Sequence, residues 1–512
     1  MPKFLLPQMR HIAYTIVSII ALALFSSCTP QTPETLYPLD IKSAECSYEK
    51  QTVEIRYTVA NTLKDEVISV SASCDAEWVT SVDASQSGVI SVSVEEFDGS
   101  EGYRTAKIKV KASQYTPTEV TLTQWSKAPE TAKHTLMFYF FGTSLSRFFK
   151  TNLEDAALAI ETGILGNNNR VIFFRQESKN SAYIGELYYD YAEMDCKERR
   201  LEEITLSTSI ITPEKIGQHI ATMAEYAPAE RYGIVFAGHG QGWILREILN
   251  NNGKDISASA AALSTEINPW IPAVGAEETR AFGEDNVRVN IPELAEGIER
   301  SGVALDYILF DACFMSNIEA IYDLRNSANY IIASPCEIMG KGFPYHRTLP
   351  YLFNEYGTTT DYEGAAESYY KYYRDEYVGS SRCGSVTLYD CSQVESLAEA
   401  TKEVMESATD EYNVKELQTY EGQTPHHFYD FGQWVRVVAT DEDALAHFNE
   451  AFDSAIIATF TLSSFYSAYG TYGTYPINLD VYTGITTSAP SKAYPYGWKQ
   501  TNWYNDVIKL EN

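Results

Sequence analysis

Cysteine is scarce in this chain: 8 in 512 residues, with no Cys-Xaa-Xaa-Cys and no zinc-ligand spacing. That leaves no signature of a structural zinc module or a redox pair. A Gly-Xaa-Ser-Xaa-Gly elbow, a His-Glu-Xaa-Xaa-His helix, a P-loop and an EF-hand loop are also missing. Gly238-His239-Gly240-Gln241-Gly242 is not a dinucleotide fingerprint, because Trp243 stands where a third glycine is needed. Positive charge is short, with 39 Lys and Arg against 69 Asp and Glu. A net charge of -30 argues against a nucleic-acid partner. No apolar run reaches membrane-spanning length; Ile12–Phe25 comes nearest.

That run belongs to a targeting segment. Lys3 and Arg10 precede it, and Ser26-Ser27-Cys28 closes it. Leu24–Cys28 resembles a bacterial lipoprotein signal. The resemblance implies removal of residues 1–27, lipidation of Cys28, and a cell-envelope protein on the outer membrane or surface of a Gram-negative bacterium. Residues 28–38, rich in Pro and Thr, read as a tether. Setting Cys28 aside leaves seven cysteines, an odd number for an oxidising compartment. Cys46–Cys74 and Cys383–Cys391 are candidate pairs, and one free thiol is expected.

Residues 39–127 alternate apolar and polar positions at period 2, with turn residues between short runs. This predicts an all-β, immunoglobulin-like sandwich. Its strands, with Trp78 and the closing Val-Thr-Leu-Thr-Gln, resemble a BACON-type domain. Beyond a linker at 128–133 the pattern changes to alternating strands and helices over 134–512. This predicts an α/β domain whose mostly parallel sheet is flanked by helices. Strands are expected at His134–Phe141, Arg170–Gln176, Ile234–Ala237, Leu305–Phe310, Asn329–Ala333 and Ser385–Tyr389. Helices are expected at Pro213–Tyr226, Ile291–Ser301, Ala365–Tyr377 and Val394–Tyr412. Residues 244–280 form a long insertion of small and polar residues, of the kind that makes a lid.

Two strand ends carry the candidate chemistry. Leu305–Phe310 is nearly all apolar and stops at Asp311-Ala312-Cys313. Ser316-Xaa-Xaa-Glu319 then reads as a capping box opening a helix, whose positive end favours a thiolate at Cys313. Ile234–Ala237 ends at His239, held between Gly238 and Gly240. If the two strands are neighbours, thiol and imidazole face one cleft at the carboxyl edge, the minimum apparatus for covalent acyl transfer. Asp311 stands two residues before Cys313 and shares its face of an extended strand. A carboxylate there raises a thiol's pKa, so its better use is to hold a cationic side chain. Glu337 is a further candidate for the same pocket. His426-His427 has no carboxylate or Cys at ligand spacing and reads as a loop pair; no metal site is expected.

The His239–Trp243 and Asp311–Met315 blocks together resemble the clostripain family of cysteine peptidases. Ala333–Tyr345, Asn152–Asp155 and Trp503–Asp506 extend the likeness over roughly the last three-quarters of the chain. Phe314 and Ser316 depart from it, standing where smaller or purely aliphatic residues are expected. The resemblance implies a caspase-like fold, a Cys313–His239 dyad, and an oxyanion donor at Gly240. It also implies substrates that are proteins or peptides cut after Arg or Lys. Self-cleavage within the insertion makes Lys254 and Arg280 candidate cut sites. No cofactor is expected, and calcium is left undecided. The rival reading is a catalytically degenerate surface lipoprotein that binds glycan or protein through its sandwich.

Overall fold

The computed structural model describes residues 37–59, 68–99, 102–113, 115–191, 193, 195–206, 211–251, 253–256, 270–280, 289–379, 382–470 and 474–510. The signal segment, Cys28 and nearly all of the tether lie outside them.

The N-terminal region is a sandwich of two four-stranded sheets. One sheet contains β1 (Asp40–Ile41), β3 (Gln51–Thr58), β6 (Val89–Val94) and β5 (Val79–Asp83), in that spatial order. The other contains β2 (Ala44–Cys46), β8 (Thr118–Trp125), β7 (Tyr103–Ala112) and β4 (Val70–Cys74). Alternation explains the packing: in β7, Ala106, Ile108 and Val110 are buried while Lys107, Lys109 and Lys111 are exposed. Each such Ile or Val contributes roughly 1.5–3 kcal/mol by leaving water. Trp78 packs at the core's margin under the Arg104 guanidinium, 4.5 Å from its ring.

The expected disulfides do not form, and all seven described cysteines are free. Cys46 and Cys74 lie on opposite edges of one sheet, about 14 Å apart at strand spacing and beyond disulfide reach. Cys383 and Cys391 flank the five-residue strand Val386–Asp390, about 17 Å end to end.

The α/β region is built on a nine-stranded sheet. Five parallel strands occupy its middle: β10 (Asn169–Ser178), β9 (Ala132–Phe140), β13 (Ala229–Ala237), β14 (Leu305–Asp311) and β15 (Ala328–Ala333). The hairpin β11 (Ser181–Asp190) and β12 (Asp195–Thr205) adds antiparallel strands at one side. Its outer strand is studded with exposed Arg and Glu, which blunts the open edge. On the other side lie β16 (Val386–Asp390) and, beyond β17 (Tyr429–Asp430) in the chain, β18 (Ile456–Phe460), both antiparallel. The strand expected at Ser385–Tyr389 is thus present but reversed, and the helix expected at Val394–Tyr412 ends at Met405.

Helices cover both faces. α1 (Ser146–Ile160), Tyr345–Leu352 and Tyr362–Glu376 pack on the face carrying Val235, Leu309 and Cys313. α2 (Pro213–Tyr226), α4 (Ile291–Ser301) and α5 (Ile318–Leu324) pack on the face carrying Ile234, Ile308 and Phe310. Between α2 and α4, the short helix α3 (Arg246–Asn250) opens the insertion. The sandwich meets this region through Trp125, fully buried with its ring edge-on to Tyr356 at 5.1 Å.

Candidate active site

β13 and β14 are adjacent, with Ala237 opposite Asp311, so the residues that follow each strand emerge side by side. A Cβ on Gly240 would lie 2.3 Å from the Cys313 carbonyl oxygen. Only glycine lets the His239 loop close over the Cys313 turn. His239 Nε2 lies 2.8 Å from Ser144 Oγ, in the loop entering α1, so the imidazole is on the α1 side of the sheet. Leu309 and Cys313 belong to that same layer. The two strand ends therefore present His239 and Cys313 on one side of the sheet. No hydrogen bond joins imidazole and thiol among the described residues.

Cys313 is fully buried, and its Sγ accepts the Ile338 N–H at 2.9 Å. Burial, reinforced by the nearby Glu337 charge, pushes the thiol well above its ordinary value. The helix-dipole expectation fails for a geometric reason. α5 starts at Ile318, five residues on, and its cap is Asn317, which accepts from Ala320 N at 3.3 Å. The Ser316–Glu319 capping box is absent as well. Ser316 Oγ instead bonds the Gly484 carbonyl and the Tyr389 hydroxyl. Glu319 is buried and accepts Ser488 N–H, Thr487 Oγ1 and Trp498 Nε1. These two residues fasten the C-terminal segment to α5. Phe314 takes φ +60°, a backbone shape that costs a non-glycine residue roughly 1–2 kcal/mol. Its ring stacks on Phe428 at 4.8 Å, which offsets that strain and accounts for an aromatic residue there.

The insertion returns through this site. Glu278–Arg280 lies as an extra strand along Ile338–Gly340: Arg280 N donates to Ile338 O at 2.7 Å, and Gly340 N to Glu278 O at 2.8 Å. The Arg280 carbonyl accepts the Gly240 N–H at 3.0 Å. Its guanidinium is completely buried and sits 2.8 Å from Asp311 Oδ2. Asn152 Oδ1 and Gly340 O take two further guanidinium N–H groups at 2.6 and 3.0 Å. Tyr345 OH donates to Asp311 at 2.6 Å. Burial raises the Asp311 carboxyl, while Arg280 and Tyr345 pull it back. Gly342, at φ +72°, has no room for a Cβ, which would fall 2.4 Å from both Asp311 and Arg280.

Glu337 is placed differently from expectation. It does not line the guanidinium pocket; it lies one residue along, where it accepts Thr279 Oγ1 at 2.6 Å, Ala468 N–H at 3.1 Å and Ser467 Oγ. Burial lifts it to about 7, although these donors lower it. Lys254 stands in the turn after α3, its N–H bonded to Asn251 O, away from these contacts. Residues 252 and 257–269 of the insertion lie outside the described residues. Asn152 and Tyr345 line the pocket without having been assigned there from sequence, although both fall within blocks that carried the family likeness. His427 stacks between Trp270 and Tyr494, at 5.4 and 4.9 Å.

The sequence model of the Clostripain family matches residues 268–474, the span that carries Arg280, Asp311, Cys313 and Glu337. No curated protein matches the chain. Solved structures resemble it, three of them as follows. A secreted C11 cysteine protease from Bacteroides thetaiotaomicron, "iotapain", is 29% identical with a TM-score of 0.62, covering 74% of this chain and 100% of its own. An inactive zymogen C11 protease from Parabacteroides distasonis is 26% identical with a TM-score of 0.60, covering 74% and 99%. A secreted C11 cysteine protease from B. thetaiotaomicron in complex with an irreversible peptide inhibitor is 24% identical, with a TM-score of 0.58, covering 73% and 99%.

Proposed function

Because the chain belongs to the clostripain family of cysteine peptidases, we propose that it is an exported endopeptidase that cuts after Arg or Lys. We further propose that it first cuts itself after Arg280. One observation carries this reading. Arg280 already occupies the groove as a substrate would, with its side chain on Asp311 and its carbonyl on the Gly240 N–H. Its backbone is paired with Ile338. Lys254, the other candidate cut site, carries none of these contacts.

In the proposed reaction, Cys313 Sγ attacks the carbonyl carbon of the residue held by Asp311 as His239 takes the thiol proton. The oxyanion forms against the Gly240 N–H. The C–N bond breaks, His239 protonates the leaving amine, and water hydrolyses the thioester. The steps are carried by thiol, imidazole and backbone N–H, and none is routed through a metal or cofactor. The sulfur held by Ile338 and the imidazole held by Ser144 describe the occupied groove; both hydrogen bonds break when the dyad engages. Secretion of a relative supports export. The lipoprotein-like N-terminus supports anchoring through Cys28, with the BACON-like sandwich as a spacer.

Intact-mass analysis of the wild type beside Cys313→Ala and Arg280→Ala tests the reading. The wild type is expected to split after Arg280, Cys313→Ala to stay whole, and Arg280→Ala to lose that cut. A wild type that hydrolyses Arg peptides yet stays full length would sink self-cleavage. A cut that persists in Cys313→Ala would remove Cys313 from the chemistry.

A further inference from the structure

The groove reads more than one residue of the segment it holds. Next to Arg280, Thr279 is buried, and its hydroxyl points at Glu337, 2.6 Å from Oε2. Glu337 is itself completely buried, and its other described partners all come from the protein's own scaffold: the Ser467 hydroxyl and the Ala468 N–H. Tyr469 N–H, bonded to Ser467 Oγ at 3.3 Å, helps hold that wall in place. The neighbouring backbone is equally constrained. Thr279 pairs with Met339 as an antiparallel bridge, and a Cβ on Gly340 would strike Phe148 at 2.6 Å. This pairing sets the register that turns Thr279 toward Glu337.

A buried carboxylate that loses a donor is left with an acceptor lone pair facing no water, and the site then disfavours the ligand that caused the loss. Valine matches threonine in shape and lacks only the hydroxyl. From this geometry we infer that Glu337 is a specificity-determining residue. It makes the groove select a hydroxylated residue, Thr or Ser, immediately before the Arg or Lys at the cut. The inference rests on the reading that the Asp311 pocket takes the residue whose carbonyl is attacked, and it adds the residue before it.

The test uses the full active chain and three fluorogenic peptides: acetyl-Glu-Thr-Arg-, acetyl-Glu-Ser-Arg- and acetyl-Glu-Val-Arg-aminomethylcoumarin. The expected kcat/KM for the Thr peptide exceeds that for the Val peptide by roughly 10- to 100-fold, the usual span for one hydrogen bond to a charged group. The Ser peptide falls between them. Equal rates for Thr and Val overturn the inference and leave the Arg pocket standing, since all three peptides share Arg. Hydrolysis of none of them overturns both. In Glu337→Gln, which keeps the side chain's size and removes its charge, the Thr-to-Val ratio drops several-fold. A ratio unchanged in that variant takes the selectivity away from Glu337. The ratio is internal to each preparation, so a partly misfolded variant does not alter it.

Discussion

The two ends of the groove that holds Glu278–Arg280 each centre on one fully buried carboxylate, and they treat it differently. Asp311 faces a guanidinium at 2.8 Å, with Tyr345 and the Phe343 N–H beside it. Glu337 faces hydroxyls and one backbone N–H, with no cation among its described partners. Burial raises the pKa of both. A counter-charge is the stronger compensation, so in the proposed function the Asp311 end discriminates by charge. By the inference above, the Glu337 end discriminates by a donor proton. In the proposed reading the same pair of groups that selects a substrate also holds the uncut chain shut, and removing Arg280 from the groove has to overcome a buried ion pair.

The sharpest way to break that contrast is Asp311→Asn, which keeps the shape and removes the charge. Cleavage of Arg peptides is expected to fall about 1,000-fold in kcat/KM, while Cys313 is still alkylated by iodoacetamide. An Arg preference that survives would put the pocket elsewhere. Next in size is Arg280→Met in the uncut Cys313→Ala chain, which strands Asp311 without a cation. Denaturant unfolding should show a loss of about 3–5 kcal/mol, and a negligible loss would mean that Asp311 carries no charge there.

The Glu337 end is tested by pH. Its folded-state pKa, about 7, stands above the ordinary 4.5. The protonated carboxyl therefore favours the folded chain, fully below about pH 4.5, and that advantage is lost as pH rises through 7. Compared with Glu337→Gln, both in the Cys313→Ala background, the Glu chain should lose about 2–3 kcal/mol between pH 5 and 8. A difference of opposite sign would show that Glu337 is ionised more readily in the fold than in water. The smallest effect belongs to Arg147, which pairs with Glu278 at the rim and is 69% exposed. Arg147→Ala should change the preference for an acidic over a neutral residue two places before the Arg or Lys at the cut by no more than a few-fold, measured with paired peptides.

Much of this architecture is legible in the residues. The Lys-flanked alternation of β7 and the nearly all-apolar run of β14 state their burial directly. Pro213–Tyr226 and Ile291–Ser301 carry their own caps at Thr212 and Asn290, and both helices begin and end where expected. The hairpin Ser181–Thr205 went unread because its outer strand is mostly charged, as suits an edge strand, and so lacks the continuous apolar face that announces a strand. Ser316 and Glu319 were misread because the capping-box pattern is local. Their partners, Tyr389, Gly484 and Ser488, arrive from distant parts of the chain.

By itself, the order of residues determined most of the central strands and their flanking helices, and that a thiol and an imidazole each follow a buried strand. Periodicity and turn chemistry act over a few residues, and these features need nothing more. Only the packed fold decided that Arg280 fills the Asp311 pocket and that Glu337 grips Thr279. It also decided that no disulfide closes in the described chain. Those outcomes depend on distances between residues far apart in sequence, which are set by how layers stack and which strands become neighbours.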